Sequence, residues 1–190
     1  MTRRLGVYPG SFNPPTIGHL AIAQAARDQR GLARVDLMVS RVALGKELMD
    51  WPSFEDRIAV LEASVADIEG LEVAVTDHQL LVDIAQGYDA VIMGADKWSQ
   101  VLDPAFYGDS VEARDQAVDV LGQLELAIAP RPPFDVPAGA VLNIDPEMVP
   151  VSSTGARQGR LEWMTPAARV FDDATGAWSD PDLYNRTRAD

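Results

Sequence analysis

An open, doubly wound parallel α/β sheet with helices on both faces is the fold predicted for these 190 residues. Three observations predict it. Short apolar runs of strand length alternate with segments whose apolar residues recur at helical spacing, the pattern of successive βα units. Nearly half of the chain, 47%, is hydrophobic, enough for one domain with its own core. No internal repeat and no clear linker divides it, so residues 1–171 are expected as a single domain and residues 172–190 as a polar tail.

The elements follow in order. Residues 5–8 form a short apolar strand, and residues 18–30 a helix, with Leu20, Ile22, Ala23, Ala26 and Leu32 near helical spacing. Residues 35–39 are a second strand. Residues 52–67 read as a helix with Pro52 at its first position and Glu55 and Asp56 in the positive first turn. Ile58, Leu61 and Val65 give it one apolar face. A strand at 71–75, a short helix at 79–86 and a buried-type strand at 89–93 come next. Residues 111–121 are helical, and residues 124–129 and 140–144 are strands flanking a Pro-rich loop at 130–137. The stretch from Asp172 is polar, with Gly, Pro and several aspartates, and is expected to pack loosely.

Composition narrows the function. The net charge is −13, from 16 basic and 29 acidic residues, which argues against a broad phosphate-contacting surface for nucleic acid. A small anionic ligand must then meet a local cluster of donors. Cysteine is absent, excluding disulfides and thiolate metal sites. No run of ~18 apolar residues offers a membrane span, and Met1-Thr2-Arg3-Arg4 leads straight into a strand rather than a signal peptide. A cytoplasmic location is the expectation.

The richest segment joins the first strand to the first helix, from Tyr8 to Leu20. Ligands of open α/β sheets bind beyond the carboxyl ends of the strands. A helix N-terminus there suits phosphate. Gly10 and Gly18 would let backbone approach a ligand closely, and Thr16 and His19, three apart, would share a face of the first turn. Gly10-Ser11-Phe12-Asn13-Pro14 followed by Thr16-Ile17-Gly18-His19 resembles the signature of the nucleotidyltransferase superfamily that carries (H/T)-x-G-H after G-x-F-(D/N)-P. The resemblance implies a Rossmann-like fold and in-line attack of a phosphate on the α-phosphorus of ATP, with pyrophosphate leaving. Such chemistry needs positioning and charge stabilisation. His19 would donate to the α/β-phosphate region and Thr16 would assist through its hydroxyl. Gly10, Ser11, Phe12 and Gly18 would line the ATP site. Mg²⁺ would arrive with the triphosphate, with no protein metal ligand expected.

A second element, Ser152-Ser153-Thr154-Gly155-Ala156-Arg157, is similar to the superfamily's S-S-T-x-x-R motif, which clasps the β- and γ-phosphates. Ser and Thr are good N-caps, so an ordinary capped helix is its bland alternative. Two branches of the superfamily compete. Gly94-Ala95-Asp96, the Arg131-Pro132 step and the serine motif resemble the nicotinate mononucleotide adenylyltransferases. That likeness implies Gly94 and Asp96 in the ATP site, with Lys46, Arg57 and Trp98 facing the acceptor. Asp96 as a helix cap, Lys46 and Arg57 as surface charges and Trp98 as a core aromatic are the alternatives. Tyr8-Pro9-Gly10-Ser11-Phe12 with Thr16 instead resembles the pantetheine-phosphate adenylyltransferases. Nicotinate mononucleotide is the leading acceptor. Phosphopantetheine, a cytidylyltransferase acting on a small alcohol phosphate, and a catalytically weak nucleotide-binding sensor are the alternatives. Members are often oligomeric, so a homo-oligomer is a further expectation.

Overall fold

The structure is a computed structural model describing residues 3–42 and 51–188. Among the described residues the elements run β1 (Leu5–Pro9), α1 (Ile17–Gln29), β2 (Arg34–Ser40), α2 (Phe54–Val65), β3 (Leu71–Thr76), α3 (Leu81–Ile84), β4 (Ala90–Gly94), α4 (Ala95–Leu102), α5 (Val111–Leu121), β5 (Glu125–Ala129), α6 (Ser153–Arg157), α7 (Pro166–Thr175) and α8 (Pro181–Thr187). The strands form one parallel sheet in the order β3-β2-β1-β4-β5. Every carboxyl end therefore lies along one edge, and the strand order reverses between β1 and β4. That reversal makes the crevice in which open α/β sheets hold ligands.

Strand periodicity divides the core into two layers. Ala90 and Ile92 of β4 face one side, with Ile22 and Ala26 of α1 and Leu61 and Val65 of α2. Val91 and Met93 face the other, with Ile84 of α3, Trp98 of α4 and Leu121 of α5. Helices on both faces follow from strands that are apolar at consecutive positions.

Three expectations need correction. The helix after β2 starts at Phe54, not Pro52, because the Ser53 Oγ accepts from the Asp56 amide at 3.1 Å and so caps it. Residues 140–144 are not a strand of the sheet. Val141 makes one isolated parallel bridge to Ile128, and Ala140 and Leu142 are buried beneath it. Alternating burial produced the strand pattern there without a ladder.

The polar stretch after residue 171 is not loosely packed. It completes α7 and forms α8, and Ala177, Trp178 and Tyr184 join a third cluster with Val60, Ala156, Met164 and Ala168. Its aspartates shape turns: Asp172 accepts from the amides of Trp178 and Ser179 at 2.7 and 3.0 Å, and Asp180 caps α8. The Tyr184 hydroxyl accepts from the Ser53 amide at 2.8 Å and donates to Asp56 at 2.5 Å, holding the start of α2. Among the described residues no helix is long and apolar enough to cross a membrane.

Trp178 is 2% exposed, and its indole N–H donates to the Asn13 side chain. Trp178→Ala should cost about 3–5 kcal/mol of stability, measured by urea unfolding. A loss under about 0.5 kcal/mol, typical of an exposed site, would contradict the packed C-terminus.

Candidate active site

The loop after β1 folds back over its own start. Phe12 adopts φ 45° and is buried, its ring edge-on to Tyr8 and His19 at centroid distances of 5.4 and 5.1 Å. A Cβ at Gly10 would sit 2.9 Å from the Phe12 ring, so glycine lets that ring close down on the loop. Thr16 then caps α1. Its Oγ1 accepts from the His19 amide at 3.3 Å, and its own amide donates to His19 Nδ1 at 3.1 Å. This is a capping box with histidine in the place usually held by Glu or Gln.

That box fixes the chemistry of His19. A backbone amide can only donate, so Nδ1 accepts and the neutral ring carries its proton on Nε2. Burial first, and the Arg131 charge second, lower the imidazole to about 4. At neutral pH His19 is therefore an uncharged Nε2–H donor with a fixed tautomer.

The second element docks on the first. Ser152 caps α6, its Oγ accepting from the Gly155 amide at 3.1 Å, and Ser153 Oγ donates to the Pro14 carbonyl at 2.7 Å. Arg157 donates to the Asn13 carbonyl and, at 3.4 Å, to Thr154 Oγ1. Gly18 and Gly155 are packing glycines. A Cβ at Gly18 would lie 2.9 Å from Val151, and one at Gly155 would overlap the Trp163 ring.

A cleft of about 370 Å³ opens along the carboxyl edge of the sheet. Of the candidates from the sequence, Gly10, Ser11, Phe12, His19, Arg57, Gly94, Asp96, Ser152, Ser153 and Thr154 line it. Four candidates are placed elsewhere. Thr16 lies buried behind His19, Gly18 is packed against Val151, and Arg157 reaches back to the loop. Trp98 is buried in the layer with α3 and α5 rather than at the cleft, because α4 turns its apolar side to the sheet. Lys46 lies outside the described residues.

Sequence reasoning also missed cleft residues as site candidates. Arg131 follows β5 and stands with Nε 3.5 Å from Asp96 Oδ1. Arg41, Ser40, Gln79 and Lys97 line the cleft as well. Their signal was positional: each follows or closes a strand whose carboxyl end reaches this edge. Among the described residues, the cleft is lined by the cations Arg41, Arg57, Lys97 and Arg131 and by one carboxylate, Asp96, in a chain of net charge −13. Among the described residues no group of His, Cys, Asp or Glu could hold a metal ion by itself.

A parallel sheet with a cation-lined cleft at its switch point, built from a capped β1–α1 loop and a serine-rich second element, defines a protein of the nucleotidyltransferase class. A family model described as cytidylyltransferase-like matches residues 7–159, most of the chain, and the chain belongs to that family. It is 37% identical over 90 residues to a phosphopantetheine adenylyltransferase of Rhizorhabdus wittichii, covering 47% of this chain and 51% of that one. It is 39% identical over 90 residues to that of Cutibacterium acnes, covering 46% and 54%. A probable nicotinate-nucleotide adenylyltransferase of Gloeobacter violaceus is 35% identical over 77 residues, covering 40% and 37%. The chain spans about half the length of the phosphopantetheine relatives it matches, and less of the nicotinate one.

The histidine state gives a direct prediction. Because the folded pKa lies below the ordinary 6.5, protons favour the unfolded chain, and stability falls as pH drops from 6.5 towards about 4. In a proton NMR titration of the free protein, the His19 ring should stay neutral to below about pH 5. A midpoint near the ordinary 6.5 would contradict the half-buried, amide-bonded ring.

Proposed function

We propose that the chain transfers the adenylyl group of ATP to a phosphorylated acceptor, with nicotinate mononucleotide the leading acceptor. The observation that carries the reading is the neutral His19 donor, fixed by Thr16, in a cation-lined cleft of a cytidylyltransferase-like chain. A phosphate oxygen of the acceptor attacks the α-phosphorus in line. The new P–O bond forms as the bond to the bridging α–β oxygen breaks, and pyrophosphate takes that electron pair. Mg²⁺ would accompany the triphosphate and offset its charge.

The chain's own groups divide the remaining work. His19 Nε2–H donates to the non-bridging oxygens on which charge redistributes, and the amide bond to Nδ1 keeps that proton on Nε2 in the neutral ring. Ser152, Thr154 and Arg131 face the leaving phosphates. Arg157 acts from behind through Asn13 and Thr154, holding the two phosphate elements together. Gly94 and Asp96 close the adenosine side after β4, and Arg57 faces the acceptor.

The acceptor reading rests on Gly94-Ala95-Asp96, the Arg131-Pro132 step and the serine motif. Phosphopantetheine is favoured by a different observation, the printed names of the Rhizorhabdus wittichii and Cutibacterium acnes relatives. Pyrophosphate release should be measured with ATP or CTP and Mg²⁺, with nicotinate mononucleotide, nicotinamide mononucleotide and phosphopantetheine as parallel acceptors. Release with ATP and one acceptor is expected. His19→Ala should then lower kcat by roughly 100-fold. Near-normal turnover in that variant would refute the role of His19. Silence with every acceptor, while ATP still binds, would favour a nucleotide-binding sensor instead.

A further inference from the structure

The cleft holds one donor that the chemistry at His19 does not yet use. Tyr8 stands one residue before the end of β1 and lines the cleft, although only 6% of it is exposed. Its ring lies edge-on to Phe12 and His19, with centroids 5.4 and 6.2 Å away, and belongs to the core layer of α1 and α2. A phenylalanine ring would fill the same place, so packing alone does not call for the oxygen.

A buried phenol usually finds a partner for its O–H, because a donor left unmade costs free energy. Tyr184, 4% exposed, follows that rule and donates to Asp56 at 2.5 Å. Tyr8 does not. Among the described residues its hydroxyl has no hydrogen-bond partner, and the oxygen is not sealed within protein, so it opens on the cleft. Its polar surroundings offer no acceptor that it takes. His19 Nε2–H and the Arg131 guanidinium can only donate, and Asp96 stands beside Arg131 at 3.5 Å. Burial raises the phenol above its ordinary 10.0, with Arg131 opposing and Asp96 adding, so at neutral pH the hydroxyl keeps its proton.

Position decides which atoms this donor meets. β1 is the strand at which the sheet order reverses, and the Tyr8 and His19 rings stand side by side there, both lining the cleft. One phosphate group can therefore meet both donors. We propose that Tyr8 is a further catalytic residue, its hydroxyl donating to a non-bridging oxygen of the same α-phosphoryl group that His19 serves. A donor with no partner in the free protein breaks no internal bond when that group arrives, and it is already aimed where charge redistributes. The phenol keeps its proton throughout, so bond making and breaking at phosphorus balance without it. The inference rests on the adenylyl-transfer reading above.

Tyr8→Phe tests it, because the ring stays and only the oxygen goes. The urea midpoint of this variant should equal or exceed that of the wild type, since no hydrogen bond within the protein is lost. Pyrophosphate release, measured with ATP, Mg²⁺ and the acceptor that the wild type uses, should fall by about tenfold or more in kcat, with the acceptor KM held. In the His19→Ala background the same substitution should cost less than in the wild type, because groups that serve one phosphoryl act as a unit. An unchanged kcat, an effect confined to the acceptor KM, or full additivity with His19→Ala would overturn this inference and leave adenylyl transfer standing. So would a lowered urea midpoint, because the hydroxyl would then be holding the fold. Absence of pyrophosphate release by the wild type with every acceptor would overturn both readings.

Discussion

The hydrogen bond from the Thr16 amide to His19 Nδ1 is the interaction on which the site depends. It converts histidine, a residue with two interchangeable nitrogens, into a donor with one defined proton. It holds only while the chain just before α1 keeps its shape, and the rest of the structure supplies that shape. Ser153 and Arg157 bond the carbonyls of Pro14 and Asn13, Thr165 donates its amide to the Pro15 carbonyl, and Trp178 anchors the Asn13 side chain. Polar backbone left in this loop is thus satisfied from the C-terminal third of the chain, as buried backbone must be.

The electrostatic design follows from the same arrangement. The surface is strongly acidic, which would repel a triphosphate at long range. Among the described residues the cleft answers with Arg41 and Arg131 after β2 and β5 and with Arg57 and Lys97 in the first turns of α2 and α4, and it keeps its central donor uncharged. A charged imidazole beside Arg131 would pay for its own desolvation and for repulsion; the neutral form avoids both. Charge is left to the arginines at the walls and to the ion that ATP brings.

Much of this was readable in the sequence because the features concerned are local. The short apolar runs marked β1 to β5, and the Gly10–His19 string marked the first turn. Gly94, Asp96, Ser152, Ser153 and Thr154, singled out by the serine and Gly94–Asp96 motifs, line the cleft. What escaped depends on tertiary contacts. The strand pattern at 140–144 reflects burial under Ile128 without a ladder. The C-terminal stretch looked like a tail because Asp172 and Asp180 are polar, yet they brace turns that deliver Trp178 and Tyr184 to the core. Gly18 and Thr16 matched a ligand motif but serve the geometry behind it. Arg41 lacked a distinctive neighbourhood in sequence, Arg131 stood out only through the Arg131-Pro132 step, and sheet order brings both to one cleft.

The central claim is that His19 is held as a neutral Nε2–H donor by Thr16. Nitrogen-15 NMR of the histidine ring, recorded on the free protein at neutral pH, tests it most directly. The account predicts a pyridine-type Nδ1 and a protonated, pyrrole-type Nε2 for His19. A proton on Nδ1, or rapid exchange between the two tautomers, would contradict it.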